Sequence, residues 1–180
     1  MSDFELRQRK SIYHGRVVDL AVDRVRLPNG TERELELIEH PGAAAVVPVN
    51  AHAEVVLIRQ ARYATGGWLL EVPAGTLSSG ETPDACAQRE LEEETGYRAN
   101  RLTPLGAIWT TPGFTNEQIW LFLAEELSPF EQRLDADEVL TLEQLPLSTA
   151  IRRAQQGDIT DAKTVCALLR VAALRTGSSI

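Results

Sequence analysis

"GTLSSGETPDACAQRELEEETGY", residues 75–97, is the stretch on which the fold turns. Its glutamates stand at positions 81, 90, 92, 93 and 94. Thr82 suits a helix N-cap, Pro83 the first helical position, and Gly96 the left-handed residue just past the end, so the spacing predicts a helix over Pro83–Thr95. At 100° per residue, Glu90 and Glu94 lie about 40° apart and Glu93 lies about 60° from Glu90, while Glu92 falls on the opposite side. Three carboxylates therefore share a face with one cation beside them, Arg89. Like charges at this spacing mildly destabilise an isolated helix. The face is either solvated, or its hard oxygen donors are placed to hold a Mg²⁺ or Mn²⁺ ion, which prefers carboxylates, carbonyls and water. The loop Gly75–Glu81 folds over the helix start and offers the Ala74 carbonyl as a further oxygen.

Outward from this stretch, 180 residues allow one domain with a sizeable core and a small appendage. Hydrophobic residues make up 43% and charged residues 24%, a soluble, globular composition. A net charge of -8, with no basic run, argues against a nucleic-acid surface, so a phosphate ligand would need local arginines or a metal. The N-terminal "MSDFELRQRK" does not read as a signal peptide, and no apolar run is long enough to span a membrane. Cys86 and Cys166 are far apart without metal or redox spacing, which points to a reduced, cytoplasmic protein.

From Ser11 to His40 the pattern alternates like strands, with Asn29-Gly30 as a hairpin signal. "GAAAVVPV", "EVVLIRQARY", "WLLEVPAGTL", "LTPLGAIWT" and "EQIWLFLAEEL" read as further strands, the first largely buried. Helical patterns run from about Ser148 to Gln156, closed by Gly157, and from about Asp161 to Arg175, with Asp161 or Thr160 as N-cap. Interleaved strands and helices give an α/β or α+β class with a mixed sheet.

Gly75, Glu81, Arg89, Glu90, Leu91, Glu93, Glu94, Gly96 and Tyr97 match the Nudix box, G-x5-E-x7-R-E-U-x-E-E-x-G-U with U bulky and apolar. Its seven fixed letters arise by chance on the order of 10⁻⁸ per starting position, which decides against a merely solvated acidic face. The resemblance implies an α/β/α sandwich around a mixed sheet, a divalent cation, and hydrolysis of a nucleoside diphosphate linked to another moiety. It further implies that Glu90 and Glu94 bind metal with the Ala74 carbonyl, and that Glu93 is a further ligand or a base. Arg89 would orient the glutamates and Glu81 would brace the loop.

The flanks "IRQARY", "WLLEVPAG" and "TTPGFTNE", Pro112 beyond the box, and "GDITDAKTVCALL" resemble the branch of this family that cleaves ADP-ribose and related nucleoside diphosphate sugars. By that resemblance Arg62 binds the diphosphate with its guanidinium fork, Glu117 contacts the distal sugar, and Glu36 lies on the nucleotide side. Tyr63 and Trp68 are candidates either for base stacking or for the core or an interface. His14, His40 and His52 form no spaced cluster, and Cys86 is most simply a small core residue.

Two departures stand out. The branch's general base comes from an acidic loop, here "LDADEVL", in which Ala136 falls where an acid is common; Glu138 is favoured, with Asp135, Asp137 and Glu93 as alternatives. The branch also often carries Arg-Glu where this chain has Leu35-Glu36, which leaves room for sugars other than ADP-ribose. Branch members are usually dimers, so residues 1–41 are expected to form a β extension that packs on a partner, and residues 42–180 the hydrolase domain. The competing expectations are a hydrolase of dinucleoside polyphosphates, NADH or nucleoside triphosphates, and a non-catalytic ADP-ribose sensor.

Overall fold

In the computed structural model, which describes residues 3–136 and 138–177, the N-terminal segment is an antiparallel meander of β1 (Glu5–His14), β2 (Asp19–Arg26) and β3 (Glu32–Glu39). The Asn-Gly signal is a real turn: Gly30 has φ +85° and its N–H donates to the Leu27 carbonyl at 2.8 Å. The alternating run expected from Ser11 onward is broken at Gly15, whose N–H donates to the Val18 carbonyl, and β1 begins earlier, at Glu5. Arg9 on β1 forks onto the buried Asp23 of β2, with Nε–Oδ1 at 2.7 Å and Nη2–Oδ2 at 2.6 Å. The chain up to Gly42 forms one compact unit together with Trp109–Gln118. Inside that unit Ile38 bridges Thr115 in parallel, and the Ile38 N–H donates to the Phe114 carbonyl at 2.7 Å.

Ala43–Ile108 and the chain from Ile119 onward form the second unit. Its elements begin with β4 (Ala43–Pro48), β5 (Glu54–Arg62), β6 (Gly67–Glu71) and β7 (Ala74–Thr76), followed by α1 (Pro83–Thr95). Then come β8 (Tyr97–Trp109), β9 (Gln118–Pro129), β10 (Leu140–Pro146), α2 (Leu147–Gln156) and α3 (Ala162–Arg175). The order β7-β4-β9-β8 makes a mixed sheet, with β4 antiparallel to β7 and parallel to β9; β10-β5-β6 is a separate antiparallel sheet.

Strand alternation in β4 divides the core. Ala44 and Val46 pack with Cys86, Ala87 and Leu91 of α1. Ala43, Ala45 and Val47 face the other way, into a cluster with Val55, Leu57 and Leu70 and with Ala150 of α2 and Leu168 of α3. One helix on one face of a mixed sheet, and a second sheet with two helices on the other, is the expected α/β/α layering.

"WLLEVPAGTL" is two strands in two sheets, not one. Pro73 has no N–H to donate to a ladder, and around it the backbone changes partners. The Val72 N–H goes to Thr164 Oγ1 of α3 at 2.8 Å, and the Pro73 carbonyl accepts from the Val46 N–H at 2.9 Å. That switch delivers Ala74 and Gly75 to the edge of the mixed sheet. Among the described residues, no helix is long and apolar enough to cross a membrane.

Candidate active site

The site is assembled on α1, whose ends are as the sequence predicts: Pro83 opens the helix and Gly96 closes it at φ +69°. Thr82 is extended, as an N-cap should be, but makes no side-chain capping bond. Arg89 is the hub. Its Nε and Nη2 fork onto the two oxygens of Glu81 at 2.8 and 3.0 Å, and Nη1 reaches Glu90 at 2.5 Å and Glu93 at 3.1 Å. Nη2 also donates to the Thr76 carbonyl at 3.2 Å. Glu81 in turn accepts from the Ser78 N–H at 2.9 Å, so one arginine ties the Leu77–Thr82 loop to the acidic face of the helix.

Glu90 and Glu94 are 7% and 1% exposed, deeper than a solvated acidic face allows. Burial is the main reason both carboxyls titrate above the ordinary carboxylate range. For Glu94, neighbouring Glu90 and Glu138 add to burial and push the value up to about 8, against the Ala74 N–H, which donates to Oε2 at 2.9 Å. Gly75 makes the Glu90 position possible: a Cβ at residue 75 would stand 1.9 Å from Glu90 Oε1. The carboxylate occupies the space a side chain would fill.

Arg62, at the end of β5, forks onto Glu71 with Nε–Oε1 at 2.9 Å and Nη2–Oε2 at 2.8 Å. Glu71 also holds Lys163 Nζ at 2.5 Å, and Lys163 bridges to Asp161, the N-cap of α3, at 3.0 Å. Burial alone would raise the Glu71 carboxyl, but Arg62 and Lys163 together hold it below its ordinary value. The negative charge of Glu94 is felt at Arg62, which places this network beside the acidic helix. Sequence reading missed Glu71 and Lys163. Their only signals were a carboxylate inside the apolar run Leu69–Val72 and a lysine in the first turn of a closing helix.

Glu138 lies close enough to raise both Glu90 and Glu94, and its Oε2 accepts from the Asp135 N–H at 2.9 Å. Asp137, an alternative base, lies outside the described residues. Glu117 and Glu36 belong to the first unit. Glu117 accepts from Thr110 Oγ1 at 2.7 Å, with His40 Nε2 at 3.7 Å; Glu36 is exposed on β3. Tyr63 and Trp68 are exposed, so neither belongs to the core of this chain. Cys86 is buried, its thiol pushed up to about 12 by burial, and is an inert core residue.

Among the described residues no three His, Cys, Asp or Glu side chains are gathered tightly enough to ligate an ion as they stand. Arg89 Nη1 holds Glu90 and Glu93 together, while Glu94 points to the Ala74 N–H. The donor set nonetheless fits a hard divalent cation. Two buried carboxylates repel each other, a glycine leaves room for one of them, and a backbone turn lies alongside.

A sequence profile of the NUDIX domain matches residues 39–168. The chain is 41% identical over 162 residues to a protein named ADP-ribose pyrophosphatase from Bacillus subtilis (strain 168), covering 89% of this chain and 88% of that one. It is 42% identical over 161 residues to a protein named methanol dehydrogenase activator from Bacillus methanolicus, covering 88% and 87%. A solved structure described as an ADP compounds hydrolase superposes with a TM-score of 0.85, covering 99% of this chain and 97% of that one at 24% identity, and shares the fold.

Proposed function

This chain belongs to the NUDIX family, and from that footing we propose that it hydrolyses the diphosphate bond of ADP-ribose or a related nucleoside diphosphate sugar. Water adds across the P–O–P bridge, giving a nucleoside monophosphate and a sugar phosphate. The observation that carries the reading is the buried pair Glu90 and Glu94, with Glu90 set in the space left by Gly75 and Glu94 next to the Arg62 network.

Mg²⁺ or Mn²⁺ would be held by Glu90, Glu94, Glu93 and the Ala74 carbonyl. Bound there, the ion supplies positive charge against the phosphate oxygens. Arg89 keeps Glu90 and Glu93 aligned from the helix side. Arg62 grips the diphosphate. Glu138 takes the proton of the attacking water, the work of a positioned carboxylate. Glu117 and Glu36 serve the sugar and nucleotide ends.

The test is phosphate-product release from ADP-ribose, ADP-glucose, GDP-mannose, UDP-glucose, diadenosine polyphosphates and NADH, each with Mg²⁺ or Mn²⁺. Preference for ADP-ribose or another nucleoside diphosphate sugar supports the reading. Turnover of dinucleotides alone, or tight ADP-ribose binding without turnover, defeats it. Leu35, 38% exposed where the branch often has arginine, favours a second reading in which several such sugars are cleaved at comparable rates.

The working form proposed is a cytoplasmic homodimer. The two free thiols support a reducing compartment. The uniformly exposed β1, with Leu6, Ile12 and Tyr13 open to solvent and exposed Phe4 just before it, supports residues 1–41 as the extension that meets the partner. A monomer at micromolar concentration in light scattering would refute the dimer.

A further inference from the structure

Glu71 is 1% exposed, at the end of β6. A carboxylate is rarely placed so deep without a charged partner, and this one has two. The Arg62 fork uses the Nε–Nη2 edge of the guanidinium. A guanidinium is planar, with five donors in fixed directions. Clamping one edge therefore fixes where the other edge points. Arg62 Nη1 makes no hydrogen bond among the described residues, and the side chain is 40% exposed. The inner edge is held, and the remaining donors lie on the outer edge, Nη1–Nη2.

α3 has anchors besides Glu71. Asp161 caps the helix through the Thr164 N–H at 3.0 Å, and Thr164 Oγ1 accepts from the Val72 N–H at 2.8 Å. The helix start is thus already tied to the β6–β7 turn, one residue from Glu71. What Glu71 adds is a fixed orientation for two cations, Arg62 and Lys163, beside an acidic helix.

We infer that Glu71 is a positioning residue for the reaction: it clamps Arg62 so that the outer Nη1–Nη2 edge is presented, already oriented, to the diphosphate of the substrate. The inference rests on the proposed role of Arg62 in gripping that diphosphate. An unclamped arginine would have to surrender rotamer freedom when the phosphate arrives, and affinity would fall. Lys163, sharing Oε2 of Glu71, holds the carboxylate in place from the α3 side.

Steady-state kinetics on ADP-ribose with Mg²⁺ test this, with Glu71→Gln, Arg62→Ala and the pair combined. Glu71→Gln should raise KM roughly tenfold and change kcat much less. In the Arg62→Ala background the same substitution should leave KM where Arg62→Ala alone puts it. If Glu71→Gln fails to fold, the charge-balanced pair Glu71→Gln/Lys163→Met, set against Lys163→Met, carries the comparison. Equal effects of Glu71→Gln with and without Arg62 would overturn the inference and make Glu71 a purely structural residue. So would an unchanged KM in Glu71→Gln while Arg62→Ala raises it. An unchanged KM in Arg62→Ala would instead bring down the diphosphate role of Arg62, and the clamp with it.

Discussion

The carboxylate of Glu90 stands where a side chain at position 75 would begin, with Oε1 1.9 Å and the carboxyl carbon 2.2 Å from the place a Cβ on Gly75 would take. The obstructing atoms are the end of a flexible side chain, so Gly75→Ala should displace Glu90 and not unfold the domain. Its melting temperature should stay near wild type, while Mn²⁺ affinity and kcat/KM fall about tenfold or more. Titration calorimetry alongside kinetics checks this; unchanged Mn²⁺ affinity would remove Glu90 from the ion site.

Glu94 makes stability pH-dependent in the metal-free protein. Burial, then Glu90 and Glu138, raises its carboxyl from 4.5 to about 8. The folded state therefore holds a proton that the unfolded chain has released. Its contribution to stability is complete below pH 4.5 and is lost as pH rises to about 8. Melting temperatures between pH 5 and 8 should fall more steeply for wild type than for Glu94→Gln, and Mn²⁺ should flatten the wild-type slope. Parallel slopes would contradict the assignment. Glu94→Gln, and equally Glu93→Gln, should lose most turnover with the fold intact.

Arg89 predicts the opposite acid behaviour. Its guanidinium, beside Glu81, holds that carboxyl down to about 2. The contribution is present above pH 4.5 and is lost as pH falls through about 2. Arg89→Gln leaves Glu81 and Glu90 without their shared cation and should cost about 1–3 kcal/mol at neutral pH. Urea denaturation of both proteins at pH 7 and pH 3 should show the gap narrowing in acid. A gap that widens in acid would rule the pairing out as the source.

Glu138 is the proposed base. Glu138→Gln should lower kcat by about 10²–10⁴ and leave KM within a few-fold. A loss below threefold would move the role to Asp135, Asp137 or Glu93.

How much of this was legible in the chain depends on the range of the forces involved. Helix α1, expected over about Pro83–Thr95, is found there because its signals are local: a proline suited to the first turn, a glycine suited to the left-handed exit, and side chains whose phase follows from 3.6 residues per turn. The hub role of Arg89 follows from the same phase, since Glu93 is one turn away. The unbroken apolar run of β4 likewise announced a largely buried strand, and every one of its residues is buried.

Other features had no local signature. Nothing in "WLLEVPAGTL" says that its halves belong to different sheets; that depends on Val46 and Thr164 offering partners on either side of Pro73. β10 went unread because it is a strand by virtue of pairing with β5, from Leu140↔Gln60 to Pro146↔Glu54. Tyr63 looked like the end of a strand, but it begins a 3-10 turn closed by Gly66 at φ +72°.

The sequence by itself determined the helix, its acidic face and the family to which they belong, because spacing along one element is enough to bring those groups together. Only the tertiary structure decided that Glu94, among the described residues, is buried with no cation in contact with it, and which arginine is clamped. Glu71 meets Lys163 across 92 residues of chain, and a contact of that range exists only once the sheet and α3 have packed. Charge burial, which raises Glu94 and fixes Arg62, is a property of that packing and of no shorter stretch of the chain.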